Sequence, residues 1–216
     1  LEAYGLLRHW EEEEASWRFS FGGVPWASAG ARSAGVDRAA DFASQSRFVA
    51  DGQPTAVDVT HLARAWLAQP SANHGLLLRI VSPTFTELRL ASAEAADPAQ
   101  RPRLVLHYAQ PAGAATPSPT PTVTPGSPTP TPTASATPTA ATPTPTYAVT
   151  ELVYQQGRGG YRGARDTTLS AWEPDSNTHG APALSLRTDG AGDVRSALLH
   201  FDLGDIPQHA QVTQAT

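Results

Sequence analysis

Cysteine, methionine and lysine are all missing from this sequence. Without cysteine neither a disulfide framework nor a thiolate metal site can form, and the redox compartment leaves no trace. Without methionine there is no initiator residue, which reads as a fragment or a processed product. Without lysine all 15 basic residues are arginine, set against 20 acidic ones. The acidic excess holds on both sides of the middle of the chain: 10 Arg against 12 acids over 1–110, and 5 against 8 over 147–216. That balance argues against a nucleic-acid partner. No apolar run approaches the roughly 18 residues of a membrane span, and no basic-then-apolar leader opens the chain. The seven histidines, at positions 9, 61, 74, 107, 179, 200 and 209, form no i, i+4 pair of the kind zinc uses. A nucleophile elbow, a His-based triad pattern and a recognisable pair of glycosidase carboxylates are lacking too. The expectation is a chain with no catalytic residues and no enzyme activity.

What is present in abundance is proline and threonine, concentrated in one place. Residues 111–146 hold 11 of the 20 prolines and 12 threonines, with no charged or aromatic side chain among them. Proline fixes φ and donates no hydrogen bond, and nothing in the tract is large enough to bury. The composition therefore predicts a disordered or extended, polyproline-like linker with a contour of about 110 Å. Thr/Pro tracts with Ser and Ala are also the composition of O-glycosylated extracellular stalks, so the expectation is a protein outside the cell or on its surface, with an unmodified intracellular linker as the plainer alternative.

The flanks read as short strands. Period-2 alternation marks 17–21, with Trp17, Phe19 and Phe21 on the inner side, and 194–203, with Ala197, Leu199, Phe201 and Leu203 on one face. Further strands are expected over 55–59, 76–81, 85–90, 104–108, 149–154, 167–171, 183–187 and from 210 to 216. One helix is expected, over 61–68, capped by Asp58 or Thr60 and stopped by Pro70. Residues 22–35 and 155–163 read as loops. Many short strands at 8–12 residue spacing with one helix predict an all-β sandwich of jelly-roll or Greek-key type. The linker would split it into two half-domains, 1–110 and 147–216.

Candidate binding residues are few. Trp26 and Trp172 lie in loop-rich stretches and could stack on sugar rings, whereas Trp17 and Trp66 sit at in-facing positions. Arg158, Tyr161 and Arg162 in the Gly-rich turn could grip a phosphate or an acidic sugar, or form only a mobile turn. Asp175 and Asn177 offer alternating oxygen ligands of the kind calcium favours, and an Asx turn explains them equally. Glu11 to Glu14 could contact a cation or a cationic sugar, or form a solvated turn before a strand.

Both flanks resemble the DNRLRE domain family of extracellular jelly-roll modules, related to disaggregatase-like proteins and alginate-binding carbohydrate modules. Residues 166–180 (DTTLSAWEPDSNTHG), 196–207 (SALLHFDLGDIP) and 210–216 are similar to the first half of such a domain. Residues 4–10 (YGLLRHW), 14–17 (EASW), 57–66 (VDVTHLARAW), 73–78 (NHGLLL), 91–94 (ASAE) and 101–104 (RPRL) are similar to its second half. The second half comes first here, then the tract, then a first half. The resemblance implies one piece of a tandem array, with halves completed within the chain or by other copies in head-to-tail fashion. The expected role is a non-catalytic structural or assembly module, with neighbouring modules or other copies as partners. Polysaccharide binding, acidic glycans included, is the alternative, and structural calcium the one cofactor considered.

Overall fold

The computed structural model describes residues 1–47, 53–111, 147–189, 193–204, 206–207 and 210–216. Twelve strands and one α-helix follow one another among them. The segment before the Thr/Pro tract supplies β1 (Glu2–Gly5), β2 (Phe19–Phe21), β3 (Val24–Pro25), β4 (Ser44–Gln45), helix α1 (Thr60–Ala68), β5 (Leu76–Arg79), β6 (Thr86–Ala91) and β7 (Arg103–Pro111). The segment after it supplies β8 (Tyr147–Gln155), β9 (Ala164–Ser170), β10 (Ala183–Thr188), β11 (Asp193–Phe201) and β12 (Gln211–Ala215). The architecture is an all-β sandwich of antiparallel sheets, as the alternation and turn spacing predict.

The two segments are interleaved strand by strand. In the large sheet the order is β4-β1-β5-β11-β10-β6, with β9 on the other edge of β11. The seams join Leu76 to Leu199 and Leu78 to Ala197, and all of β6 to all of β10. In the second sheet β7 lies between β12 and β8. Pleating sends alternate residues to opposite faces. Ala3, Leu76, Leu78, Ala197, Leu199 and Phe201 from the large sheet join Leu104, Leu106, Tyr108, Tyr154, Val212 and Ala215 in one buried cluster, the filling of the sandwich. Helix α1 closes one side of it with Ala63 and Trp66, and Arg64 Nε donates to the Val212 carbonyl across the segments at 2.8 Å.

The opposite face of the large sheet is covered as well. Tyr4, Leu77, Leu169 and Leu198 point away from the sandwich filling into a second cluster with Leu6, Trp10, Trp17 and Trp26. The covering loop, 6–38, is tied down by polar groups more than by strands. Asp37, with no exposed surface, accepts hydrogen bonds from the backbone N–H groups of Ala27, Ser28 and Ser33. Trp10 Nε1 donates to the His74 carbonyl and Trp26 Nε1 to the Ser16 carbonyl.

Several local expectations change. Residues 55–59 form no strand; Val59 makes a single backbone bond to Ala215 and starts the helix. Asp58 serves the helix through its carboxylate, which accepts from Thr60 N–H at 2.8 Å. In β2 the fully buried residue is Ser20, whose hydroxyl donates to the Val24 carbonyl, while Phe19 and Phe21 are half-buried; of the expected inner set only Trp17 is buried. Residues 112–146 of the tract lie outside the described residues; on either side of them, Pro111 and Tyr147 are register partners at the end of the β7–β8 pairing.

Candidate functional site

Two places gather chemistry. The first is a cluster of carboxylates where the segments meet. Asp166 lies on β9 opposite Leu199, so pleating aims its side chain at the inner face of the sheet, where it is 2 % exposed. Glu12 sits in a turn of the covering loop, and Glu94 follows the end of β6. One carboxylate oxygen from each of the three lies within 4.8 Å of the others. Two reciprocal hydrogen bonds hold the arrangement: Asp166 N–H donates to Glu12 Oε1 at 2.8 Å, and Ala93 N–H donates to Asp166 Oδ2 at 2.7 Å. Ser92, fully buried beside them, donates to the Ala181 carbonyl and accepts from Glu94 N–H. Glu94 Oε2 is buried and has no hydrogen-bond partner.

Burial pushes the Asp166 carboxyl up to about 8, with Glu94 and Glu12 adding to the rise and the Ala93 N–H opposing it. Burial raises Glu12 too, against the hydrogen bond it accepts from Asp166. Arg165 is adjacent in sequence, but its side chain projects from the other face of β9, toward Glu11 at 3.7 Å and His200 at 3.4 Å. A cavity of about 330 Å³, lined by Glu11 to Glu14 and Arg165, leads from solvent to Glu12.

The second place is an exposed patch at the far end of β9. Trp172 is 52 % exposed, and the Arg187 and Arg195 guanidinium carbons stand 4.1 and 5.0 Å from its ring centre. Arg187 also lies 4.3 Å over Phe85, itself 56 % exposed. Glu87 accepts from Arg187, and Ser185 Oγ from Arg195. The guanidiniums lie over the indole ring, and the patch offers donors suited to hydroxyls and carboxylates beside a half-exposed aromatic.

The remaining residues expected from sequence fall elsewhere. Trp26 does lie in a loop, but that loop is packed: the indole is 4 % exposed inside the outer cluster and presents no free ring face. Arg158 and Arg162 are exposed on the turn before β9, with Tyr161 between them donating to the Asp202 carbonyl and packed edge-on to Tyr154 at 5.2 Å. That turn and Trp172 sit at opposite ends of β9, about 30 Å of chain apart at strand rise, so the two groups do not form one site. Asp175 and Asn177 do not converge either. Asp175 is exposed and pairs with Arg18 at 3.0 Å. Asn177 donates to the carbonyls of Glu12 and Ala15 at 2.7 Å each, and its Oδ1 accepts from His179 N–H, an Asx turn serving as a brace. Sequence reading missed Glu94 and Asp166 altogether. The available signal for Asp166 was an acidic residue inside a strand, 164–170, that apart from Arg165 is apolar or hydroxyl. Comparison of the chain with protein-family models, curated proteins and solved structures finds no match.

Proposed function

We propose that this chain is a non-catalytic structural module of an extracellular or cell-surface assembly, in which the segments on either side of the Thr/Pro tract complete one another, within one chain or between copies. The observation that carries the reading is the interleaving of the sheets. β11 lies against β5, β10 against β6, and β7 between β12 and β8, so each segment alone leaves strand edges and an apolar face uncovered. Any chain that supplies the missing segment satisfies the same seams. Exchange between copies therefore uses the contacts of self-closure, and an exchange that does not return to its starting chain propagates head to tail. The Thr/Pro composition and the DNRLRE-like motifs support the extracellular setting.

The test is to produce 1–111 and 147–216 separately, and to follow mass by light scattering as they are mixed and as the intact chain is concentrated. The expected result is a 1:1 complex that folds only on mixing, together with concentration-dependent exchange in the intact chain. Two segments that each fold cooperatively as monomers overturn the reading.

The exposed Trp172 patch favours a second role, recognition of an acidic polysaccharide. Retention on an affinity gel of a uronic-acid polymer, lost in Trp172→Ala and in Arg187→Ala, is the expected outcome. Equal migration of parent and variants removes that role and leaves the first untouched.

A further inference from the structure

An open sheet ends in strands whose outer N–H and C=O groups can accept a further strand unless something covers them. In the large sheet each edge is blocked or guarded. On the free side of β9, Glu12 and Thr178 accept from the N–H groups of Asp166 and Thr168, and the Thr178 hydroxyl donates to the Thr168 carbonyl. β4 is two residues long, and β6 carries Glu87 and Arg89. In the second sheet, helix α1 seals β12: the Thr60 hydroxyl bonds both the N–H and the carbonyl of Ala215, and Arg64 donates to the carbonyls of Val212 and Thr213. The other edge of that sheet is β8, a strand of nine residues with no proline. Its open groups follow from the pairing. Val105 exchanges both backbone bonds with Thr216 on the β12 side, so Leu104, Leu106 and Tyr108 address Tyr154, Leu152 and Thr150 of β8. Backbone groups alternate in direction along a strand, and those of Val149, Glu151, Val153 and Gln155 therefore point outward from the edge. Among the described residues, none bonds to the outward groups of Val149, Glu151 or Val153. Val149 is exposed, and the one charge on the strand, Glu151, pairs with His107 of β7 at 3.7 Å.

We propose that β8 pairs antiparallel with β8 of a second copy about a two-fold axis at Leu152, so that the second sheet runs through both copies. A two-fold pairing through the open groups matches odd residues to odd, because only these present N–H and C=O outward. Glu151 decides among the registers left. Centred on residue 151, the pairing would set Glu151 against its own counterpart, and like charges directly opposite are destabilising. Centred on Thr150, it would set Gln155 against residue 145, outside β8. Centred on Leu152, it sets Glu151 against Val153, Val149 against Gln155, Thr150 against Tyr154 and Leu152 against itself. Leu152 and Tyr154 pack on the filling of the sandwich, so this register continues the apolar inner face from one copy into the next. The strand is thus complementary to itself, which selects a second copy over an unrelated strand. Such a contact uses the same surface on both partners and closes at two. It is open to a self-closed chain and does not rest on exchange of segments between copies.

The test is sedimentation of the intact chain over a concentration series, with a monomer–dimer equilibrium as the expected result. Val153→Pro removes an outward N–H and leaves the even-numbered bonds to β7 in place, so the fold should persist, as its far-ultraviolet spectrum checks. The bond is lost from both copies at once, and the dimer should weaken by about tenfold or more. Val153→Arg sets opposite charges face to face on both sides of the axis and should tighten the dimer, while Val153→Glu sets like charges there and should weaken it. The chain has no cysteine, so a single introduced thiol can bridge only to another copy. Leu152→Cys should cross-link on oxidation, because facing residues on the axis stand about 4.5 Å apart between Cα atoms, and Val149→Cys should not. A monomer at every concentration overturns the proposal and leaves the edge to some other strand. So does a dimer that Val153→Pro and Val153→Glu leave unchanged, which would assign it to exchanged segments or another surface, or one that cross-links through position 149 and not 152.

Discussion

The two faces of the large sheet are both buried, but by different means. The inner face packs against regular strands that also alternate, and its residues are mostly aliphatic. The outer face lies under an irregular loop, 6–38, that brings three tryptophans; Trp10 and Trp26 donate to the His74 and Ser16 carbonyls, and buried Asp37 braces the loop backbone by accepting from Ala27, Ser28 and Ser33. The difference teaches that a sheet can be sealed without a second layer of secondary structure, provided that the loop over it has large apolar side chains and an internal polar scaffold. The inner filling depends on both segments, because its residues come from β1, β5 and β11 of the large sheet and from β7, β8 and β12 of the second. The outer cover comes almost entirely from the first segment and caps the seam that the second segment completes through Leu169 and Leu198.

If the outer cover is core in the same sense as the inner filling, Trp26→Ala should cost about 3–5 kcal/mol in urea unfolding. A loss below about 1 kcal/mol would break the comparison and reduce the loop to a lid. Gly75→Ala addresses the seam itself. Gly75 adopts φ +80°, and an added Cβ would stand 2.4 Å from the Leu199 carbonyl oxygen of the other segment. Strain and overpacking together should cost about 2–4 kcal/mol, read by the same unfolding experiment. Unchanged stability would mean that the β5–β11 seam yields easily.

Acid sharpens the contrast from the outer side. Burial holds the His200 imidazole down to about 4, with Arg165 adding to the effect. Its folded value lies below the ordinary 6.5, so the folded form resists the proton that the unfolded chain accepts. The stability from neutral His200 is complete above about pH 6.5 and is lost as pH falls from 6.5 through 4, by at most about 1.4 kcal/mol per pH unit. Thermal unfolding across pH 4–7 should show this fall, and His200→Gln should flatten it. Smallest of all, Trp172→Ala should change stability by less than about 0.5 kcal/mol, since the side chain lies outside both clusters and is half exposed. A larger loss in urea unfolding would make Trp172 a structural residue and weaken the binding role.

The inner face was legible in the sequence because it obeys period 2. Residues 194–203 gave β11 with its correct inward set, and 76–81, 85–90, 104–108 and 149–154 each overlap an observed strand. β1 escaped for a physical reason: all four of its residues are buried, so the alternation that marks a half-exposed strand is erased. The outer cover was illegible because a loop held by Asp37 and three indoles has no period to read, and its glycines and serines look like open chain. Trp26 was misplaced for that reason, while Trp172, also in a loop, is open to solvent. The carboxylate cluster drew on residues 12, 94 and 166, which no local pattern links. Only the pairing of β9 with β11 and the turn after β6 bring them together.

The β7–β8 hairpin closes its register at Pro111 and Tyr147, where the Thr/Pro tract leaves and re-enters. Both attachments of the tract therefore sit on one terminal rung, and tension drawn through them would open the pairing rung by rung from that tip, whether the two strands belong to one chain or to two copies.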